Sequence, residues 1–478
     1  MSFERHLSAP RGCGALARAP HTGAAGGAAC GDLVRVAVRV EGDRVAEAGF
    51  DASGCGAAQA AGSAVVELVE GAPLLDAARI DSARVSEALG GLSPGKRHAA
   101  DLAADALHRA LGAAARDGAF AAAPSSRRTL VAMSGGVDSA AAAQLALDAG
   151  DEVVAVTLEL WADAATDGER SCCSPQAVVG ARALAHGMGI PHFTLDLRDR
   201  FRREVVDDFL VGYGSGRTPN PCVRCNGFVR FDAMLKLAGS LGAARLATGH
   251  YARVGRDGNG PLVRTAVDPR KDQSYMLARL RGEQLERLSF PLGGLDKRSV
   301  RGLARDAGLP VADKRESQDL CFLAGSGRRA FMRRHGGQRL APGPGEIVDT
   351  DGRVLGRHDG HQEFTVGQRR GLGVGGGEPL YVLARDATRN RVVVGPRSEL
   401  AASRIQVGDV VLHRPASRVR AAKLRYRAAP ISCRAIERAG GLELEVERPV
   451  EAAAPGQVAC LMDGELVVGC GTIAEGAR

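Results

Sequence analysis

At 478 residues, with 45% hydrophobic and 25% charged positions, the chain has ordinary globular composition and room for about three domains. No run of about 18 apolar residues occurs and MSFERHLSAPRGCG lacks the apolar centre of a signal peptide, so membrane-spanning and secreted classes are set aside and a cytoplasmic protein without a membrane partner is expected. A net charge of +8 and a pI near 9.1 favour a polyanionic partner, and eleven cysteines in a cytosolic chain argue against a disulfide framework.

The first stretch, residues 1–118, reads as a small α+β unit. Val34, Val36, Val38 and Val40 alternate with Arg35, Ala37 and Arg39, the period of a half-buried strand, and Glu41-Gly42-Asp43-Arg44 turns the chain into a second strand over Val45 to Phe50. A helix through Val65 and Val66 follows, then a long one near Asp101 to Ala115. Cys30-Gly31-Asp32 and Ser53-Gly54-Cys55-Gly56-Ala57-Ala58 resemble the iron–sulfur scaffold domains of the IscU and NifU type. The resemblance implies a metal or sulfur site at Cys30, Asp32, Cys55 and His98. Ala99 stands where that family carries a third cysteine, so the expected role is receiving or docking a sulfur donor rather than building a stable cluster.

Residues 119–126 read as an Ala/Pro/Ser linker, a tether short enough to hold two domains at about millimolar effective concentration. Next, Thr129 to Met133 reads as a buried strand, Ser134-Gly135-Gly136 as a turn and Ala140 to Ala149 as a helix. Glycines there bare backbone N–H groups at a helix start, a ready anion site, and Asp138 is suited to hold Mg2+ between phosphates. The loop has no Walker lysine; SGGVDS resembles instead the loop of the PP-loop ATP pyrophosphatases, which cut ATP between its α- and β-phosphates. Strands over Glu152 to Leu158, His192 to Leu197 and Arg245 to Thr248 alternate with helices through Val178 to Met188, Phe201 to Val211 and Phe231 to Gly239, predicting a doubly wound parallel sheet over 127–333.

Beyond Arg334 the texture changes to short, Gly- and Pro-punctuated strands. Ile347 to Leu355 and Arg391 to Val394 fit a small β linker domain over 334–399. Val407 to Leu412, the strictly alternating Leu442 to Glu447, Gly456 to Met462 and Leu466 to Gly469 predict an antiparallel barrel over 400–478. The fold class is thus multidomain α/β plus β. Cys433, Cys460 and Cys470 sit in strand-like runs and are expected to be buried apolar residues.

Chemistry concentrates in Arg217 to Asn226, read as a rigid loop with Cys222 and Cys225 spaced CxxC. A zinc site would need further ligands, for which Cys172-Cys173 is the weak candidate. SGGVDS, TPNPCVRCN, ATGHYAR, KDQSYML, SQDLCF, VGQRRGLG and APGQVA, in that order, resemble the bacterial tRNA-specific 2-thiouridylase family from about Arg127 onward. The resemblance implies ATP-dependent 2-thiolation of the wobble uridine of tRNA through an adenylate. Cys321 would carry a persulfide and Cys225 would resolve it as a disulfide, with a cysteine desulfurase or sulfur-relay protein as donor.

By motif position, Ala132, Met133, Ser134, Gly135, Gly136, Val137, Asp138, Ser139, Leu158 and Gly249 would surround ATP. Asn220, Pro221 and Cys222 would surround the target base; His250, Lys271, Asp272, Gln273, Arg425, Tyr426 and Gln457 would touch tRNA. Arg328, Arg329, Arg333 and Arg334 suit a phosphate backbone or an ordinary solvated helix face. Cys222, where some relatives carry aspartate, leaves open a [4Fe–4S] cluster on Cys222, Cys225 and Cys321 in place of the persulfide. Another adenylating tRNA-modifying enzyme and an iron–sulfur carrier with a nucleotide-sensing domain are the rival readings.

Overall fold

The structure is a computed structural model that describes residues 2–14, 19–26, 31–163, 174–315, 320–340, 343–375, 378–451 and 453–476. Cys30, Cys172-Cys173 and Ser317 to Asp319 lie outside them. The N-terminal unit is an antiparallel sheet of β1 (His21–Gly26), β2 (Leu33–Glu41) and β3 (Arg44–Ser53), in that order. Every valine of the β2 alternation is buried. The helices Gly56–Val69 and Arg97–Arg116 pack on this sheet.

The second unit is a five-stranded parallel sheet. Its strands are β4 (Ser125–Ala132), β5 (Glu152–Glu159), β6 (His192–Asp196), β7 (Ala243–Thr248) and β10 (Leu288–Ser289), in the order β10-β7-β4-β5-β6. Between β7 and β10 the hairpin of β8 (Arg253–Asp257) and β9 (Gly260–Arg264) leaves this sheet and pairs with the C-terminal barrel. The chain runs from β4 to one side through β5 and β6, then returns to the other side as β7. The gap between β4 and β7 is therefore the switch point, where the carboxyl ends of parallel strands leave a crevice for ligand.

In the small β domain the stretch read as one strand from Ile347 to Leu355 is two, β11 (Gly345–Val348) and β12 (Val354–His358). Asp349 makes the turn by accepting from the backbone N–H groups of Asp351 and Arg353. β13 (Tyr381–Asp386) and β14 (Arg391–Gly395) complete that sheet. The C-terminal barrel holds β15 (Ala401–Leu412), β16 (Ala421–Lys423), β17 (Ile431–Arg438), β18 (Gly441–Glu451), β19 (Val458–Asp463) and β20 (Leu466–Ile473). It closes because β15 pairs with both β18 and β20. Cys433, Cys460 and Cys470 are buried in it, and burial pushes the Cys433 and Cys470 thiols up to about 11.

The linker is not a loose tether. Phe120 is buried with its ring 5.2 Å from that of Phe193 on β6, and Ala121 and Ala122 donate backbone hydrogen bonds to Gly42 and Ser240. The Arg97–Arg116 helix lies between the N-terminal sheet and β6, with alanines buried on nearly all sides. Asp105 on it pairs with Arg182 at 2.7 Å, and His192 N–H donates to Ala78 O. One apolar cluster runs unbroken from Val36 through Leu107, Phe120 and Phe193 to Phe209. No helix among the described residues is long and apolar enough to cross a membrane.

Candidate functional site

At the switch point the strand β4 ends at Ala132, Met133 just beyond it is buried, and the chain turns at Ser134-Gly135-Gly136 into the helix Val137–Asp148. The turn is held from within: Ser134 N–H donates to Ser139 Oγ at 3.1 Å, and Ser139 Oγ donates to Gly136 O at 3.0 Å. Ser139 thus shapes the loop rather than presenting its hydroxyl outward. Gly249, just past β7, lies against the backbone of Asp138 and Ser139, where an added Cβ would come within 2.8 Å. Leu158 is buried near the carboxyl end of β5.

Two lysines that sequence reasoning missed converge on this turn. Lys297 Nζ donates to Asp138 Oδ1 at 2.6 Å, and Lys314 Nζ donates to Gly135 O at 2.9 Å. Tyr251 Oη also donates to Asp138 Oδ1, at 2.8 Å. The carboxylate expected to meet Mg2+ therefore meets an ammonium and a phenol. The cation absent from the loop comes from 159 and 179 residues further along the chain, a separation that no local motif reports.

The second constellation lies beyond the helix Asp207–Gly214. The segment read as a loop is helical from Pro221 onward, continuing through the π-helical stretch Asn226–Arg230 into the helix Phe231–Ser240. Asn220 caps it by accepting from Val223 N–H at 3.1 Å, and Pro221 fills the first position, where a missing N–H costs nothing. Cys222 is half-buried and Cys225 buried, three residues apart in the first turn of this helix. Cys321 is half-buried, and its neighbour Phe322 is anchored among Phe201, Phe209 and Phe331, at ring distances of 5.8, 5.2 and 5.0 Å. Among the described residues no cysteine is in a disulfide, so the pairing expected between Cys225 and Cys321 is not formed here.

The residues assigned to tRNA divide into two groups. Arg425 is exposed in the turn after β16, while Tyr426, 6.3 Å from Tyr275, and Lys271 are half-buried. The others make internal bonds. Asp272 is buried, accepts from Ala266 and Ser274, and meets Lys423 Nζ at 3.2 Å. Gln273 Oε1 accepts from Tyr251 N–H, and Gln457 Nε2 donates to Thr218 O. His250 Nδ1 lies 2.7 Å from Thr248 Oγ1; burial and then Arg230 push it down to about 3, so its ring is neutral. Of the four arginines past Cys321, Arg328 turns inward, Arg329 and Arg333 pair with Glu363, and Arg334 pairs with Asp163.

In the N-terminal unit Asp32, Cys55 and His98 bring their ligand atoms within 4.8 Å of one another, the one such group of three or more among the described residues. Cys55 Sγ donates to Asp32 Oδ2 at 3.0 Å, its N–H donates to Oδ1 at 2.8 Å, and His98 Nε2 lies 2.8 Å from Oδ2. These bonds, the thiol's first, hold the Asp32 carboxyl below its usual range. Gly54 is required here: an added Cβ would sit 2.0 Å from Asp32 Oδ1. The trio opens on a cavity of about 340 Å³ roofed by Phe3 and Leu7. Cys222, Cys225 and Cys321 form no comparably tight group.

A doubly wound sheet with a lysine-supported PP-loop at its switch point, joined to a thiol-bearing scaffold unit, defines the class: an ATP-using PP-loop protein with an iron–sulfur-scaffold-like domain. Family models agree along the whole chain. They match a NifU-like N-terminal domain over 3–117, a tRNA methyl transferase HUP domain over 127–325, a tRNA methyl transferase PRC-barrel domain over 329–396 and an aminomethyltransferase β-barrel domain over 404–473. The chain is 47% identical to the bifunctional protein NifU/MnmA of Rubrobacter xylanophilus, over 98% of this chain and 97% of that one. It is 46% identical to the tRNA-specific 2-thiouridylase MnmA of Chloroflexus aurantiacus, over 72% of this chain and 98% of that one. To the MnmA of Geobacter metallireducens it is 44% identical, over 73% and 96% respectively. The chain belongs to the bifunctional NifU/MnmA family of tRNA-thiolating enzymes.

Proposed function

We propose that the chain replaces the C2 oxygen of the wobble uridine of tRNA with sulfur, in two half-reactions. In the first, the C2 oxygen attacks the α-phosphorus of ATP, pyrophosphate leaves, and the uridine carries an O-adenylate. The backbone N–H groups of Gly135 and Gly136 and the ammonium groups of Lys297 and Lys314 meet the phosphates. Asp138 and Tyr251 orient Lys297. In the second, the terminal sulfur of a Cys321 persulfide attacks C2 and AMP departs. The Cys225 thiolate then attacks Cys321 Sγ and expels the thiocarbonyl sulfur on the uridine. A Cys225–Cys321 disulfide remains, and an external dithiol reduces it.

The observation that carries this reading is the pair of lysines at the PP-loop beside a glycine that admits the phosphates. An anion-binding turn at a switch point is built for nucleotide, and two added cations suit a leaving pyrophosphate. The donor set fits the persulfide route better than a cluster on Cys222, Cys225 and Cys321: Cys225 is buried against the apolar core and the three sulfurs are not gathered. Asp32, Cys55 and His98 would hold a metal ion, which would keep the Cys55 thiol deprotonated; without metal, Cys55 is the thiol that receives sulfur from a desulfurase.

Nucleoside mass spectrometry of tRNA incubated with enzyme, ATP and a persulfide donor tests the reading. A sulfur-for-oxygen exchange at the wobble uridine, with one pyrophosphate released per thiouridine, is expected. Pyrophosphate release without sulfur in the nucleoside would point to a different adenylating enzyme.

A further inference from the structure

Two guanidinium groups lie over one tyrosine ring where three units of the chain meet. Tyr213 closes the helix Asp207–Gly214 and sits 5.1 Å from the Arg328 guanidinium carbon and 5.4 Å from that of Arg385. Arg328 belongs to the helix Gly327–His335, which follows Cys321. Its Nη1 donates to Tyr213 Oη at 3.1 Å and Thr365 Oγ1 at 2.9 Å, and its Nη2 to Glu363 O at 2.8 Å. Arg385 comes from β13 of the small β domain, and its Nη2 donates to Thr218 Oγ1 at 2.7 Å with both side chains buried.

Thr218 opens the segment that carries both CxxC thiols, and every polar group it has is held. Its N–H donates to Pro455 O at 2.7 Å, its carbonyl accepts from Gln457 Nε2 at 2.9 Å, and its hydroxyl accepts from Arg385. On the other side Phe322, adjacent to Cys321, packs 5.2 Å from Phe209, which packs 4.8 Å from Tyr213. Both thiol-bearing segments therefore hang from the same last turns of one helix. Arg385 is the link that no family motif contains. Among the described residues its Nε and Nη1 meet no hydrogen-bond acceptor, and burial, opposed by Tyr213 and helped by Arg328, draws it down to about 10. A cation kept in so poor a place is there for its geometry: a rigid fork that reaches a hydroxyl while its plane rests on an aromatic ring.

We propose that Arg385, with Tyr213 and Arg328, is a positioning device that fixes the Thr218–Cys225 segment relative to Cys321, so that the Cys225 thiol can reach the Cys321 sulfur. This rests on the proposed roles of those two cysteines. The hydrogen bond of Arg385 goes to Thr218 and its ring contact to Tyr213, neither of them in the nucleotide loop, so its loss should weigh on the second half-reaction more than on the first.

The test uses the full-length chain with Arg385→Met, Arg385→Lys and Thr218→Val. Three rates are measured: tRNA-dependent pyrophosphate release, single-turnover thiolation from persulfide-loaded enzyme, and diamide-driven Cys225–Cys321 disulfide formation followed by peptide mass spectrometry. Pyrophosphate release should stay within about twofold of wild type in all three variants. Thiolation and disulfide formation should fall on the order of 100-fold in Arg385→Met, as misplacement by about an ångström does, with partial recovery in Arg385→Lys. Thr218→Val, nearly isosteric, loses only the hydroxyl bond and should slow the same two rates, which keeps the test sharp should Arg385→Met fold poorly. Wild-type thiolation and disulfide rates in Arg385→Met and Thr218→Val overturn the inference. So does a matching fall in pyrophosphate release, which marks a merely structural role. Cys225→Ser and Cys321→Ser run in parallel: if either still thiolates, the sulfur reading itself fails, whereas dead cysteine variants beside a fully active Arg385→Met sink only the positioning inference.

Discussion

At the scale of single residues, the proposed nucleotide chemistry rests on the groups around Asp138. Lys297 is largely buried at 14% side-chain exposure and hydrogen-bonded to Asp138, so its ammonium is already oriented before ligand arrives. Lys297→Met should lower tRNA-dependent pyrophosphate release on the order of 100-fold, the usual loss for one preorganised charge donor, while tRNA binding in a gel-shift assay stays unchanged. Undiminished release would remove Lys297 from the phosphate site. Asp138→Ala should give a comparable loss, because it frees Lys297 from its orientation. The N-terminal trio allows a test that needs no turnover. Added Co2+ should produce a thiolate charge-transfer absorption, absent in Cys55→Ser and weaker in His98→Ala. A band that survives in Cys55→Ser would move the metal site elsewhere.

At the scale of elements, Cys222 and Cys225 lie in the first turn of a helix that runs without a break through the π-helical stretch Asn226–Arg230 to Ser240. Asn220 caps its start, Pro221 pre-sets the first turn and Tyr275 packs behind it, with Tyr275 Oη bonded to Val458 O of the barrel. Asn220→Ala should cost about 1 kcal/mol in urea unfolding, the usual worth of an N-cap. Asn220→Asp keeps the acceptor and should recover most of that loss. Equal melts for Asn220→Ala and the parent would show that the rest of the helix and the barrel hold its first turn without the cap. The Arg97–Arg116 helix makes the complementary point. A sequence of alanines offers little apolar area per residue, yet it permits close approach on two sides, as at Gly112, where an added Cβ would lie 2.4 Å from Thr194 O of β6. That helix packs on both sheets.

At the scale of the whole molecule, the N-terminal unit is a layer of the structure rather than cargo on a tether. Removing residues 1–126 takes the Arg97–Arg116 helix and Phe120 away from β6 and exposes Phe193. The truncated chain should melt several degrees lower and bind a hydrophobic dye more strongly. An unchanged melting temperature would restore the tether picture. The seam also carries His108, His186 and His192, with ring centres 5.1 to 6.5 Å apart. Burial, and then Arg182 for His108 and His192, holds these two well below the ordinary value near 6.5, so both are neutral in the folded state. The unfolded chain takes up protons on them below about pH 6.5 and the folded chain does not. Stability must therefore fall as pH drops through that value, by up to about 1.4 kcal/mol per pH unit for each histidine. Urea midpoints between pH 7.5 and 5.5, compared with those of His108→Gln, measure it; a flat profile in the parent would mean that the seam opens to water.

The sequence by itself determined what is local. The alternation of Val34 to Val40, the strand–turn–helix around SGGVDS and the alternation of Leu442 to Glu447 follow from side-chain period and turn chemistry, which act over a few residues. The thiol motifs and their order carry the family resemblance that implies tRNA thiolation. Tertiary structure alone decided what depends on contacts between distant parts of the chain. Lys297 and Lys314 reach the PP-loop, Arg385 reaches Thr218, Asp272 turns inward to Lys423, and the N-terminal helix docks on β6. Each is a pairing across more than 80 residues, set by how sheets and helices stack, and a lysine or arginine in isolation carries no pattern that says which carboxylate, carbonyl or ring it will meet.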